Sequence, residues 1–412
     1  MTPPPPPQPV VTTPPPPTAP PRPAAEPLTH APTDTGRARR PGLPRVTELL
    51  LSAFAGHRGT TFRLGELTLL AGPSGTGKTT ALRAYEALAR LGGGAELGEV
   101  FPDPSACVPE RARPDAQRRR GFRIGCTADG PEGPVRLEIA VQAEPELRIV
   151  GERLFADGLV LLETALRDPS RRAVQAAWHT AGVTAVTRAP LPDDRLGTAL
   201  LPLRVAGTTA GQLRVLAAAE QMLVALRSVF PCDPRPERMR DPVPAGGGRL
   251  LPGCENLADV LWRTRAECTR RHALLVDAMR VGCAGPVADL LAEPFAGGRL
   301  VRAVLDRGDG ARTTLRRLGD GELRYTALAL VLLTGPGVLE ADVPGEVPAA
   351  LQCLTVLADG LDRALDPAQR AALLALAARM CERGHIRLVG AVSDATWAAG
   401  VPGATVVHLR RD

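Results

Sequence analysis

The sequence predicts an α/β protein with a mixed central sheet, an antiparallel β subdomain and an inserted, mainly helical lid. Three observations predict this fold class. An apolar strand runs straight into a glycine-rich loop and then a helix at residues 67–91. Apolar and polar residues alternate over much of 121–162, as in half-buried antiparallel strands. Segments rich in Leu and Ala with helical periodicity occupy much of 165–285.

The first 45 residues are expected to form a disordered, proline-rich tail. Seventeen of the 42 prolines of the 412-residue chain lie there, and the segment has too little apolar surface to offset the entropy of ordering. Docking to a proline-binding domain is the alternative that composition leaves open. The N-terminus has no basic region followed by an apolar run, and no apolar run is long enough to cross a bilayer. We therefore expect a cytoplasmic protein without a membrane span, with its eight scattered cysteines reduced.

The rest of the chain divides into three predicted parts. Residues 46–164 should form an N-terminal lobe, with short strands at 46–54 and 61–71 and antiparallel strands between 121 and 162. Residues 165–298 should form the lid, with helices at 211–230 and 255–282. Residues 299–412 should form a C-terminal lobe, with strands at 299–306, 354–358, 386–392 and 404–410 and helices at 321–333 and 367–383.

The sequence GPSGTGKT at residues 72–79 is predicted to be a phosphate-binding loop. Its glycines permit a tight backbone that points N–H groups at an anion, and the following helix adds its dipole. Lys78 is the single lysine among 50 basic residues, placed where a compact ammonium can reach the β and γ phosphates. The Thr79 hydroxyl is the predicted magnesium ligand. We expect ATP, in preference to GTP, with Mg²⁺, bound by Gly72, Pro73, Ser74, Gly75, Thr76, Gly77, Lys78, Thr79 and Thr80.

Two further segments carry candidate chemistry. RLGDGELRYTALALVLL at 317–333 places a glycine turn before a helix whose first turn presents N–H groups; a turn that merely caps a buried helix is the alternative. CLTVLADGLDRALDP at 353–367 is an apolar strand that ends in Asp359, where a carboxylate can hold magnesium directly or through water. The alternative for Asp359 is an ordinary turn aspartate.

The order and spacing of these three segments resemble the ATP-binding-cassette-type ATPases, and more closely the SMC/RecF/OLD branch, often grouped with AAA-family ATP-binding proteins. The resemblance covers 46–91 and 299–410. It makes Asp359 the Walker B aspartate and a magnesium ligand, 364–366 the D-loop, and 391–393 the site of the switch histidine. It also implies a signature loop that meets the nucleotide of a second protomer, formed by Leu318, Gly319, Asp320, Gly321 and Glu322.

The resemblance implies an ATP-dependent homodimer that acts with DNA or with a partner protein. The net charge of +6 and the basic runs at 37–40 and 118–120 permit contact with nucleic acid without requiring it. A small-molecule kinase would leave the LGDGE sequence unexplained, and a transporter subunit would need a coupling subdomain that the sequence does not show.

Three positions depart from the family pattern. Gly360 stands where the family has the glutamate that positions the attacking water, Gly319 replaces the signature serine, and Val392 occupies the switch-histidine position. Asp362 is the predicted substitute base beside Asp359, with Asp394 and Glu322 as alternatives. Loss of one such group costs roughly two or more orders of magnitude in rate. The hypothesis is therefore an ATP-binding protein that hydrolyses ATP slowly; the alternative is a non-hydrolytic switch or scaffold module.

Overall fold

The computed structural model describes residues 42–179, 186–341, 347–348 and 352–410. The predicted tail lies almost wholly outside these residues, as does the basic run at 37–40. The strands of the described residues pair in three sheets, two antiparallel and one parallel.

The largest sheet is antiparallel throughout. Its strands run in the order β2 (His57–Arg63), β1 (Arg45–Phe54), β4 (Arg120–Asp129), β5 (Val135–Glu144), β6 (Arg148–Ala156), β7 (Leu159–Ala165), β8 (Ala173–His179) and β9 (Val186–Pro192). A smaller antiparallel sheet is built around β13 (Leu300–Gly308), which pairs with β11 (Val243–Pro244), β12 (Asp289–Phe295) and β14 (Ala311–Thr314).

The central sheet is parallel. Its order is β10 (Val229–Cys232), β15 (Leu354–Ala358), β16 (Ile386–Val392), β3 (Leu67–Ala71) and β17 (Ala404–His408). Every neighbouring pair among these strands is parallel. The mixed central sheet expected from sequence is therefore wrong, because the antiparallel strands pair among themselves in separate sheets. In a parallel sheet all carboxyl ends meet at one edge, which brings the loops after β3 and β15 together.

The helices of the described residues surround this sheet. They are α1 (Lys78–Gly92), α2 (Leu97–Val100), α3 (Gly197–Leu200), α4 (Ala210–Arg227), α5 (Pro236–Met239), α6 (Leu257–Glu267), α7 (Thr269–Gly282), α8 (Asp320–Leu333) and α9 (Pro367–Glu382). Within the described ranges, none of them combines the length and the apolar character that a bilayer span requires.

Two hydrophobic cores lie on the two faces of the parallel sheet. Helices α1 and α4 fill the space between this sheet and the large antiparallel sheet, and α8 and α9 lie on the other side with α7. Alternation along the strands sends Leu70 and Val389 to the first core and Leu69 and Leu388 to the second. Strands that are buried on both faces become nearly continuous apolar runs, as β3 and β15 are, each with a single buried threonine.

The predicted helix at 211–230 is partly wrong. Helix α4 ends at Arg227, and the next residues form β10, the edge strand that pairs in parallel with β15. The apolar run at 229–232 fits either a strand or a buried helical turn, so periodicity could not distinguish them. Pairing with β15, more than 120 residues later, decides for the strand.

Two other predictions for residues 165–298 need correction. The single helix expected at 255–282 is two helices, separated at Cys268, whose backbone is extended (φ −151°, ψ 90°). Strands β8, β9 and β12 lie where the sequence suggested mainly helices. They extend or build antiparallel sheets by pairing with neighbours along the chain, β8 with β7 and β9, and β12 with β13.

Candidate functional site

The loop at 72–79 connects the end of β3 to the start of α1. Gly75 (φ 84°) and Gly77 (φ 88°) adopt the left-handed conformation, which glycine enters without steric cost. The Thr76 hydroxyl donates a 3.0 Å hydrogen bond to the Pro73 carbonyl and closes the turn. Helix α1 begins at Lys78, so its first N–H groups face the space that the loop encloses.

The Lys78 ammonium lies across the mouth of this loop. Nζ donates hydrogen bonds to the Gly72 carbonyl at 2.6 Å and the Pro73 carbonyl at 2.8 Å. An ammonium binds a carbonyl oxygen less strongly than a phosphate oxygen, because the carbonyl oxygen carries only a partial charge. Lys78 also lines the cavity beside the loop, where an anion could meet its ammonium.

Thr79 on α1 meets Asp359 at the end of β15. The Thr79 hydroxyl lies 2.9 Å from Asp359 Oδ2 and 3.1 Å from Oδ1 and donates to the carboxylate. Strand β16 lies between β3 and β15, and the three strands end at the same edge. A hydroxyl and a carboxylate are hard oxygen ligands of the kind Mg²⁺ takes alongside substrate phosphates. These two residues therefore fit a magnesium ion bound with a nucleotide.

His57 is a residue of this site that the sequence reasoning missed. It lies on β2, is 7% exposed, and its Nε2 is 3.0 Å from the Gly77 carbonyl. A carbonyl only accepts, so Nε2 carries the proton and donates. A Cβ built on Gly77 would lie 2.4 Å from the same nitrogen. The imidazole of His57 therefore packs against the loop at residue 77, and the closeness of this contact leaves no room for a Cβ there.

A cavity of about 920 Å³ opens above the loop, a size typical of small-molecule sites. It is lined by β2 residues, by 74–80, by Glu110 and by the end of the chain at 407–410. None of residues 318–322 belongs to this lining among the described residues.

The loop at 318–322 is held by its own neighbours. Glu322 Oε2 accepts from the Gly319 N–H at 2.9 Å, and Oε1 accepts from the Ala284 N–H at 2.9 Å. Arg240 donates to the Leu318 carbonyl at 2.9 Å and to Asp320 Oδ1 at 2.7 Å. The Glu322 carboxylate therefore caps the N-terminus of α8 and also binds the main chain at Ala284.

The first turn of α8 packs against the segment that resembles a D-loop. A Cβ on Gly321 would lie 2.3 Å from the Ala364 carbonyl oxygen, so no larger residue fits there without movement. Gly319 is different, since a Cβ there would meet only Glu322 Oε2, at 3.7 Å. The position of the family's serine is thus sterically open.

Asp362 and Asp394, two substitute bases considered from the sequence, also have local partners. Asp362 Oδ2 accepts from the Ser393 N–H at 2.9 Å and from the Ser393 hydroxyl. Asp394 accepts from the hydroxyl and the N–H of Thr396, and these hydrogen bonds lower the pKa of Asp394. A carboxylate with a lowered pKa is a weaker general base.

Gly360, which the sequence resemblance aligns with a catalytic glutamate, has a left-handed backbone with φ 56°. Its carbonyl accepts from the Arg363 N–H at 2.9 Å and from the Arg324 guanidinium at 3.0 Å. A Cβ there would lie 3.0 Å from the guanidinium of Arg363. Both the left-handed backbone and the nearby guanidinium therefore favour glycine at position 360.

A strand, a glycine-rich loop and a helix follow one another at 67–92, and Asp359 lies beside Thr79 of that helix; this is the local geometry of a P-loop. No protein-family model matches the chain, and no curated protein matches it.

The chain is similar to solved SMC head domains. One is an Smc head bound to the C-terminal winged-helix domain of ScpA, with a TM-score of 0.47, 12% identity, and coverage of 89% of this chain and 95% of that one. Another is the SMC head domain from Thermotoga maritima, with a TM-score of 0.42, 12% identity, and coverage of 88% and 94%. A third is an Smc head with an extended coiled coil, bound to the C-terminal domain of ScpA derived from Pyrococcus furiosus, with a TM-score of 0.47, 9% identity, and coverage of 89% and 94%.

Proposed function

We propose that this protein binds ATP with Mg²⁺ at residues 72–80 and acts as an ATP-dependent switch with slow hydrolysis. The loop amides and Lys78 receive the phosphates, and Thr79 and Asp359 hold the metal. The observation that carries the proposal is the contact of 2.9 Å between Thr79 and Asp359. It joins the loop at 72–79 to the aspartate that follows β15, and a P-loop protein needs both oxygen ligands there to hold magnesium.

Slow hydrolysis is supported by the surroundings of Asp359. Gly360 offers no carboxylate, and each substitute base already accepts hydrogen bonds from neighbours: Asp362 from Ser393, Asp394 from Thr396, and Glu322 from Gly319 and Ala284. A base must come within hydrogen-bond reach of the attacking water. The existing hydrogen bonds favour the present positions of these side chains and so oppose their movement toward the water.

A non-hydrolytic switch or scaffold module is the second candidate, and the same observation favours it. Single-turnover phosphate release distinguishes the two functions. Slow release that Lys78→Ala abolishes supports a slow ATPase. Binding without release above the Lys78→Ala background supports the non-hydrolytic module. A rate equal to that of an ordinary cassette ATPase would overturn both.

An ATP-dependent dimer of this chain completes the proposal. Among the described residues, 318–322 do not line the cavity over the P-loop, and the family resemblance implies that they meet the nucleotide of a second copy. The first turn of α8 can direct main-chain N–H groups at a γ-phosphate from the far side. Size-exclusion with light scattering should show a monomer-to-dimer shift with ATP and Mg²⁺.

DNA binding receives less support from the geometry. In the basic run at 118–120, Arg119 pairs with Asp115 at 2.8 Å and Arg120 with Glu144 at 3.3 Å. An arginine that is already paired with a carboxylate neutralises less phosphate charge and so displaces fewer counterions from DNA. DNA and a partner protein are proposed here on the family resemblance, and affinity for duplex that falls steeply with salt would support DNA.

The single lysine provides a direct test of the nucleotide site. An amine-acylating reagent can modify only Lys78 and the N-terminal amine of the chain. Peptide mass spectrometry should show that ATP with Mg²⁺ slows acylation of Lys78 and leaves the terminal amine unaffected. Equal acylation of Lys78 with and without nucleotide would contradict the proposed site.

A further inference from the structure

Arg324 links the helix after the loop at 318–322 to the turn that carries Asp359. It lies in the first turns of α8, and the residue is 2% exposed. One terminal nitrogen donates to the carbonyl of Asp359 at 3.3 Å and to that of Gly360 at 3.0 Å. The other donates to the carbonyl of Pro234 at 2.6 Å and to Asp233 Oδ1 at 3.3 Å.

These contacts join three segments that are distant in sequence. Residues 233–234 follow β10, residues 359–360 follow β15, and β10 and β15 are neighbours in the parallel sheet. The guanidinium therefore bridges the ends of two adjacent strands from the helix that lies over them. In the turn at 359–360, Arg324 donates to main-chain carbonyl oxygens, so the side-chain carboxylate of Asp359 stays available to Thr79.

A guanidinium is suited to this task and an ammonium is not. Its planar fork carries five donors and can serve two separate segments at once. The buried Nε has no hydrogen-bond partner within the described part of the chain, so the cation is held chiefly by its two terminal nitrogens. Burial of a cation whose carboxylate partner, Asp233, is half-exposed is costly, so the four hydrogen bonds of the terminal nitrogens are what hold the guanidinium in place.

We infer that Arg324 is a positioning residue: it fixes the turn at 359–360 so that the Asp359 carboxylate faces the magnesium ion, and it ties that turn to α8. This inference rests on the proposed function. A nucleotide on a second copy that contacts residues 319–322 would act on the start of α8. Arg324 connects α8 directly to the turn at 359–360. Dimerisation and metal binding should then be coupled.

The test measures how much Mg²⁺ strengthens nucleotide binding. A fluorescent ATP analogue is titrated into the full chain in excess MgCl₂ and in EDTA, and the ratio of the two dissociation constants is the magnesium enhancement. Residues that orient metal ligands typically change metal affinity by about 10- to 100-fold when mutated. We expect Arg324→Gln to lower the enhancement about tenfold or more, with binding in EDTA near the wild-type value.

Arg387 provides a matched control. It is also buried, at 1% exposed, and its guanidinium donates to the carbonyls of Val46, Leu64 and Gly65 at 2.5, 2.7 and 2.7 Å. It lies near the start of β16, at the opposite end of the sheet from Asp359. Arg387→Gln should lower the melting temperature and leave the magnesium enhancement unchanged.

Each outcome decides the inference. A wild-type enhancement in Arg324→Gln, or an equal loss in both arginine variants, overturns it. Arg324→Lys should give an intermediate enhancement, because one ammonium cannot serve both segments; if Arg324→Gln does not fold, an unchanged enhancement in Arg324→Lys overturns the inference by itself. Failure of the wild-type chain to bind the analogue in either buffer would instead reject the proposed function.

Discussion

The hydroxyl of Thr79 lies 2.9 Å from the carboxylate of Asp359, although 280 residues separate them in the chain. The parallel sheet produces this proximity, because β3 and β15 end at one edge with only β16 between them. The contact places two oxygen ligands side by side next to the start of α1. It is the basis of the first prediction.

Asp359→Asn and Thr79→Ala should each remove most of the benefit of Mg²⁺ to ATP binding. An amide is a poor ligand for a hard cation, and the hydroxyl has no substitute in alanine. Isothermal titration in MgCl₂ and in EDTA measures the effect, with affinity in EDTA expected to change little. Asp394→Asn, whose carboxylate bonds to Thr396, is the control and should behave as wild type. Unaltered Mg²⁺ dependence in Asp359→Asn would remove this residue from the metal site.

Gly77→Ala should destabilise the protein more than Gly75→Ala. Both glycines have a left-handed backbone, which costs a residue with a Cβ about 1–2 kcal/mol. Only at Gly77 would the Cβ also strike a neighbour, at 2.4 Å from His57 Nε2, whereas Gly75 has open space. Urea unfolding without nucleotide gives the two differences in free energy.

His57→Ala added to Gly77→Ala isolates this contact. The double variant should lose less stability than the sum of the losses in Gly77→Ala and His57→Ala, because the clash is counted in the first loss and is absent from the double variant. Strictly additive losses would show that His57 does not restrict the loop.

Gly360→Glu should not restore rapid hydrolysis, even though it supplies the carboxylate the family has at this position. The left-handed backbone and the nearby Arg363 guanidinium oppose the side chain that a catalytic glutamate needs. We expect the single-turnover rate to rise by much less than the roughly hundredfold attributable to a correctly placed catalytic group. Gly360→Ala carries the same backbone cost without a carboxylate and serves as the reference. A hundredfold faster Gly360→Glu would show that the turn adapts.

Gly319→Ser and Gly319→Arg should have opposite effects on the ATP-dependent dimer. The site is open, so serine fits and adds a hydroxyl donor at the start of α8, whereas arginine projects bulk from the same place. Light scattering over a range of protein concentrations should show a tighter dimer for serine and a monomer for arginine. Binding of ATP to the monomer should be equal in both. If Gly319→Arg dimerises like wild type, residues 318–322 are not at the interface.

Several features were predictable because their causes are local. The β1 strand, the alternating strands of 121–162, helix α9 and the β15 strand follow from periodicity, capping residues and turn glycines over short windows. The loop at 72–79 belongs with them, since Gly75 and Gly77 permit a backbone that other residues resist. Asp359 is singled out as the acid that ends an apolar strand and by the family resemblance, and the parallel order of β15, β16 and β3 explains why it lies beside this loop.

Other features were decided by partners distant in sequence. The run at 229–232 is a strand because β15 pairs with it, and the helices α6 and α7 separate at Cys268 while packing against different neighbours. The prediction of Asp362 as a base could not foresee its hydrogen bonds with Ser393, 31 residues away.

The amino-acid sequence by itself determined the glycine-rich loop at 72–79 and its single lysine, because backbone freedom and charge are properties of individual residues, whereas the contact of Asp359 with Thr79 depends on the order of the parallel strands. Only the tertiary structure decided that His57 lies under Gly77 and that Arg324 holds the carbonyls of Asp359 and Gly360. Such contacts join segments from different strands and helices. Their strength comes from exclusion of water and from geometry that exists only once the sheet and its helices have assembled.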